Sequence, residues 1–114
     1  MKPELQNAKI THTFLGIEDH GMLTAFLHLE FDGSGQGFGG YSLGGEGAAI
    51  FIRRTLEVVG CEEWEDLAGM HCRALQTHEK VIKIGHIVKD VWFDPAEEFA
   101  KLREKPTGKI KGAE

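Results

Sequence analysis

Cysteine and proline are scarce in this sequence, tyrosine occurs once, and nowhere do eighteen apolar residues follow one another. Each shortage excludes something. Cys61 and Cys72 are the only cysteines and have no CxxC spacing, so neither a zinc site nor a disulfide framework is implied, and a reduced intracellular setting is the expectation. No membrane-spanning helix is expected, and the opening Met-Lys-Pro-Glu-Leu-Gln-Asn has no apolar run behind its lysine to make a secretion signal. Positive charge is in the minority as well: 13 Lys and Arg against 18 Asp and Glu leave a net charge of −5, which disfavours direct binding to a nucleic-acid backbone. A basic partner would instead be steered toward it. The six histidines form no HxH or HxxxH string and no Walker lysine is present, so neither a metal nor a cofactor is expected.

What the chain has in plenty is glycine, 15 residues of 114, and eight of these fall between Gly33 and Gly47. Glycine at such density points to a backbone that needs positive φ or the close approach of another group. The stretch satisfies GxGxxG at Gly35 to Gly40, yet a dinucleotide site requires a parallel βαβ unit, and the flanking segments do not supply one. Two readings stand. In the first, backbone amides of Gly37, Gly39, Gly40 and Gly47 hold a phosphate at the start of the following helix, Phe38 or Tyr41 stacks on a base, and Arg53 or Arg54 neutralises charge. In the second, the glycines only permit a bulged, twisted edge strand and the aromatics belong to the core.

The flanking patterns give the fold. Lys9 to Ile17 and Met22 to Phe31 read as a β-hairpin, and Gln36 to Leu43 as a third strand. Ala48 to Val59 changes to a helical period, with Ala49, Ile52, Leu56 and Val59 on one face and Gly60 as its stop. Met70 to Gln76 and Val81 to Phe93 read as a second hairpin, and Asp94-Pro95 starts a short last helix. The expectation is a single α+β domain over residues 9–104, an antiparallel sheet of about five strands in the order βββ-α-ββ-α packed on one main helix, with a flexible arm over 1–8 and a frayed tail over 105–114.

Three other sets of residues bear on function. His12 and His28 share the first hairpin and are expected to pack on each other. Glu62, Glu63, Glu65 and Asp66 surround Trp64 and make an acidic surface fit for a basic protein partner. Asp19, His20, His28 and His86 are the candidates for an enzyme acting on a nucleotide, which ranks last.

Four strings, Thr11 to Gly21, Gly33 to Tyr41, Trp64 to Leu67 and Ile84 to Asp94, resemble a family of small proteins encoded by phages and prophages. The resemblance covers roughly residues 10 to 94; where the family pattern has an insertion after Gly-Gly-Tyr, only Ser42 to Gly47 stands here. It implies a non-enzymatic counter-defence protein of the host bacterial cytoplasm. Such a protein would sequester a nucleotide immune signal, or else cover a basic surface of an immune protein in the manner of an anti-CRISPR inhibitor. Enclosing a signal molecule with so small a chain implies a homodimer or larger assembly.

Overall fold

The computed structural model describes residues 2–40 and 44–104. Six antiparallel strands and two helices run in the order βββ-α-βββ-α, so the α+β class holds with one strand more than expected. They are β1 (Glu4–Ile17), β2 (Leu23–Phe31), β3 (Ser34–Gly40), α1 (Gly44–Val59), β4 (His71–Gln76), β5 (Val81–Gly85), β6 (Trp92–Phe93) and α2 (Pro95–Glu104), with a 3₁₀ turn at Trp64–Asp66 before β4. The sheet order is β3-β2-β1-β4-β5-β6.

β1 serves both halves of the sheet. Glu4 to Lys9 pair with β4, and Lys9 to Ile17 pair with β2. Thr11 interrupts the second ladder as a bulge, and because side chains alternate, one extra residue exchanges the two faces. Before it the buried residues are Ala8 and Ile10; after it His12, Phe14 and Gly16 point outward and the odd residues point in. The arm expected over 1–8 is therefore a correction: residues 4–8 are strand. Their inner positions face a polar opening, where Gln76 donates to Gln6 and Gln36 donates to Gln76 and to the Thr77 carbonyl, so no apolar alternation marks them. The tail over 105–114 lies outside the described residues.

The sheet curls until β3 lies against β5, with α1 on the concave side. A first strand is thus shared by two half-sheets, with a helix between the third and fourth strands, and the curl is left open between β3 and β5 and extended by β6 and α2. Three rings hold it. Phe51 of α1 lies 5.4 Å from Phe38 of β3 and 5.7 Å from Phe93 of β6, and Phe38 meets Phe93 edge-on at 6.0 Å. The buried face of α1 is therefore Ala48, Phe51, Thr55, Val58 and Val59; of the expected series Val59 is buried, Ile52 and Leu56 are half-buried and Ala49 is exposed, so the face is centred one position away. Both series are spaced for a helix. The one carrying phenylalanine buries more apolar surface.

The long last strand expected over Val81 to Phe93 is broken after Gly85. The His86 ring accepts the N–H groups of Val88 and Lys89 through Nδ1, and Arg73 donates to the carbonyls of His86 and Lys89, which folds the chain into a turn without help from glycine or proline. β6 then returns along β5, with Trp92 over Gly85 and the Arg73 and Lys83 cations on its ring faces at 4.7 and 5.1 Å. Two helix ends follow expectation, Gly60 closing α1 at φ 90° and Asp94 capping α2 through the Glu97 N–H at 3.1 Å, whereas α1 starts at Gly44, four residues before the expected Ala48.

Phe51→Ala removes the ring that joins α1 to both edges of the curl. Urea denaturation should show a loss of about 3–5 kcal/mol, as for other buried phenylalanines.

Candidate functional site

The bulge at Thr11 and the strand alternation put four rings on the convex face of β1 and β2. His12 stacks on His28 at 4.7 Å with 8° between planes, as the shared hairpin suggested, and Phe14 stacks on Phe26 at 5.7 Å. The ladder with β3 continues each row into glycine: His28 is opposite Gly37 and Phe26 opposite Gly39. The side chains of Gln36 and Phe38 point the other way, so the outward positions Gly35 and Gly37 lack a side chain, while at Gly39 an added Cβ would be turned onto the buried Phe51 ring, 2.6 Å away.

These glycines have different causes. At Gly35 an added Cβ would come within 3.1 Å of the His28 ring, so the imidazole needs the space. At Gly39 φ is 112°, which excludes a side chain by backbone conformation. Gly37 has neither reason. Its φ is not positive, and a Cβ there would meet nothing closer than the Leu27 carbonyl at 4.0 Å. Glycine inside a strand weakens it, and where the chain itself does not use the room, the room suits the close approach of something else. Beside Gly37 lies a depression of about 460 Å³ lined by Glu18, Thr24, Phe26, Phe38, Gly39 and Gly40; it shares Glu18, Thr24 and Phe26 with a second at Phe14, and a separate third lies at His28.

The edges of this face are acidic. Glu18 and Asp19 stand at one end and Glu30 and Asp32 at the other. Glu18 is held by the turn, where its carboxylate accepts the His20 N–H and the Met22 N–H. Between these ends Thr11 Oγ1 contacts His28 Nδ1 at 2.8 Å and the His28 carbonyl at 3.2 Å. The hydroxyl has one proton; given to the carbonyl, it leaves Nδ1–H as ring donor and Nε2 as an acceptor over Gly35.

The phosphate cradle expected from the same glycines is not built. Gly37, Gly39 and Gly40 are strung along an extended strand, where successive amides alternate in direction instead of converging. Phe38 is 3% exposed and belongs to the core, so no base can stack on it. Gly47 is buried in the first turn of α1, Arg53 is exposed on that helix, and Tyr41 lies outside the described residues. Arg54 is engaged: it donates to Glu98 at 3.0 Å, to Glu57 at 2.7 Å and to the Trp92 carbonyl at 2.8 Å, tying α1 to α2 and β6. Partial burial pulls its pKa down, but the two carboxylates outweigh that and the net shift is upward.

The remaining candidates separate. Glu62, Glu63, Glu65 and Asp66 are all exposed, and among the described residues no ion pair uses them; Trp64 between them is half-buried, with its Nε1 buried and unpartnered. Asp19 and His20 sit at the tip of the β1–β2 hairpin, His28 at mid-strand, and His86 beyond β5, so they are not brought to one point. Among the described residues no cluster is arranged to hold a metal ion, and no helix is long and apolar enough to cross a membrane. Burial pushes the Cys72 thiol up to about 12. No family model, curated protein or solved structure matches the chain.

Sequence reasoning found the His12–His28 pair but missed Phe14 and Phe26 as its companions. The available signal was the alternation Gly35-Gln-Gly-Phe-Gly39, in which glycine occupies every second position of a strand.

Two results are expected from these contacts. Arg54→Ala should lower stability by about 1–3 kcal/mol in thermal or urea melts, the range for hydrogen bonds to charged groups, while leaving any ligand affinity of the ring face unchanged. Ellman's reagent at pH 8 should titrate Cys61 alone in the native protein and both thiols in denaturant, because a thiol raised so far forms almost no thiolate at that pH.

Proposed function

We propose that this chain is a non-enzymatic binding protein that receives flat heteroaromatic rings of the nucleobase class on the convex face of β1, β2 and β3. The open, side-chain-free backbone at Gly37, beside the half-buried rings of Phe26 and His28, is the observation that supports this most. Base-on-aromatic stacking is sequence-tolerant and contributes about 1–3 kcal/mol per base. The two ring rows lie two residues apart along the strands, about 7 Å at the usual rise, so the face offers platforms for two rings joined by a short linker.

Charge narrows the ligand. With acidic groups at both ends and a net charge of −5, the face has no cationic track for a long phosphate backbone. Recognition therefore runs through the bases, with any phosphates directed into solvent. Taken with the resemblance to phage-encoded proteins, this makes the role sequestration of a base-bearing immune signal in the host cytoplasm. The acidic surface at Glu62, Glu63, Glu65 and Asp66 supports a second reading, inhibition of a basic immune protein, because those carboxylates are exposed and no ion pair among the described residues neutralises them.

Thermal shift and calorimetry against nucleosides, mononucleotides and cyclic dinucleotides test the first reading. Expected are binding with little dependence on salt, a five- to hundredfold loss in Phe26→Ala, consistent with about 1–3 kcal/mol, and exclusion by Gly37→Leu with the fold intact. Silence across all three ligand classes, or a Phe26→Ala variant that binds as well as the parent, would overturn it. Loss of protection in phage infection on charge reversal at Glu62, Glu63 and Glu65, with Phe26→Ala without effect, would establish the second reading instead.

A further inference from the structure

β1 has a second edge that β4 covers only in part. β4 pairs with Glu4 to Lys9, and Ile10 closes that contact by donating to the Met70 carbonyl and accepting from Gly69 N–H. Beyond it, no strand among the described residues pairs with the β4-side edge of Thr11 to Ile17. The direction of the backbone groups there can be worked out. Glu18 N–H donates across the hairpin to the Met22 carbonyl, and bonding alternates along an antiparallel pair, so Gly16, Phe14 and His12 also face β2 while Ile17, Leu15 and Thr13 turn their N–H and C=O groups to the open edge.

Exposed strand edges are normally protected by charge, proline or a covering element. Thr11-His-Thr-Phe-Leu-Gly-Ile17 contains no Lys, Arg, Asp, Glu or Pro, and no element among the described residues covers it. Its large apolar side chains are exposed, with Phe14 at 36%, Leu15 at 43% and Ile17 at 65%, and Leu23 across the hairpin at 39%. The hairpin carries these side chains past the end of the core, in a molecule 51 Å long and about 30 Å across.

The geometry points to a second copy of this chain, paired antiparallel along the same edge, as what covers it. An edge that meets itself about a two-fold axis needs no other sequence, and each N–H and C=O of Thr13, Leu15 and Ile17 gains a partner from its counterpart segment. Charge selects this contact as well. Two chains of net charge −5 repel over most of their surfaces, but the segment from Thr11 to Ile17 is uncharged. Antiparallel pairing also brings the Glu18 and Asp19 end of one copy toward the Lys9 end of the other. The two-fold axis stands perpendicular to the joined sheet, so both convex faces lie on the same side and the Phe26–Phe14 row of one copy runs into the Phe14–Phe26 row of the next. That last consequence rests on the ring face being a binding site; the pairing itself does not.

The experiment is sedimentation or light scattering on the intact chain without ligand, so its outcome is separate from that of the base-binding test. The parent should sediment at twice the 12.6 kDa chain mass. Thr13→Pro removes an edge-facing donor without touching the β2 ladder, and Leu15→Lys places like charges close to each other across the axis; either should give a monomer with an unchanged circular dichroism spectrum. If Thr13→Pro does not fold, Leu15→Lys decides alone. A monomeric parent at high micromolar concentration, or a folded Leu15→Lys variant that remains dimeric, overturns the proposal.

Discussion

One inserted residue decides which side chains this protein shows to its surroundings. Without the bulge at Thr11, the parity that buries Ala8 and Ile10 would continue along β1 and turn His12 and Phe14 to the concave side, taking both rings off the convex face. The same residue anchors its own irregularity, since the Thr11 hydroxyl engages both the His28 ring and the His28 carbonyl. Core and ring face thus share one strand. Ahead of the bulge it supplies Ala8 and Ile10 to the core, and beyond it His12 and Phe14 to the exterior.

That economy explains what was legible in the residues and what was not. The hairpins, the main helix with its Gly60 stop and the Asp94 cap all follow from local rules and stand where those rules put them. The strand at residues 4–8 was illegible because its inner side chains face a polar opening closed by Gln6, Gln36 and Gln76, and strand pairing there is set by β4 rather than by alternation. The break after Gly85 was illegible because its turn is made by two distant groups, the His86 ring and the Arg73 guanidinium, and not by turn residues. The phase of α1 depended on where Phe38 and Phe93 would lie, which is tertiary information.

The glycine-rich stretch was read as a phosphate cradle, which its described part does not form. Its density suggested converging amides, yet an extended strand of alternating glycines makes the opposite: a flat surface, with the intervening Phe38 turned into the core. Arg54, chosen as a charge for phosphate, has its donors engaged by Glu57, Glu98 and the Trp92 carbonyl, and so is a strut between helices. Both changes move the chemistry in one direction. They remove cationic and amide groups from the candidate site and leave ring faces.

A face made of rings and bare backbone discriminates differently from a cradle of amides. Amides and arginines grip phosphate, which every nucleotide in the cell carries, and selectivity must then be added by contacts to the base. In the proposed role, rings flanked by Glu18, Asp19, Glu30 and Asp32 would reverse the order: acidic edges raise the cost of phosphate approach, so ligands whose bases stack well would be favoured. Because each stacked base contributes only a modest amount, discrimination improves when several rings bind at once. The His12–His28 and Phe14–Phe26 rows side by side on one sheet supply that multiplicity without enclosing the ligand, so a chain too small to bury a ligand can still be selective through area and ring count.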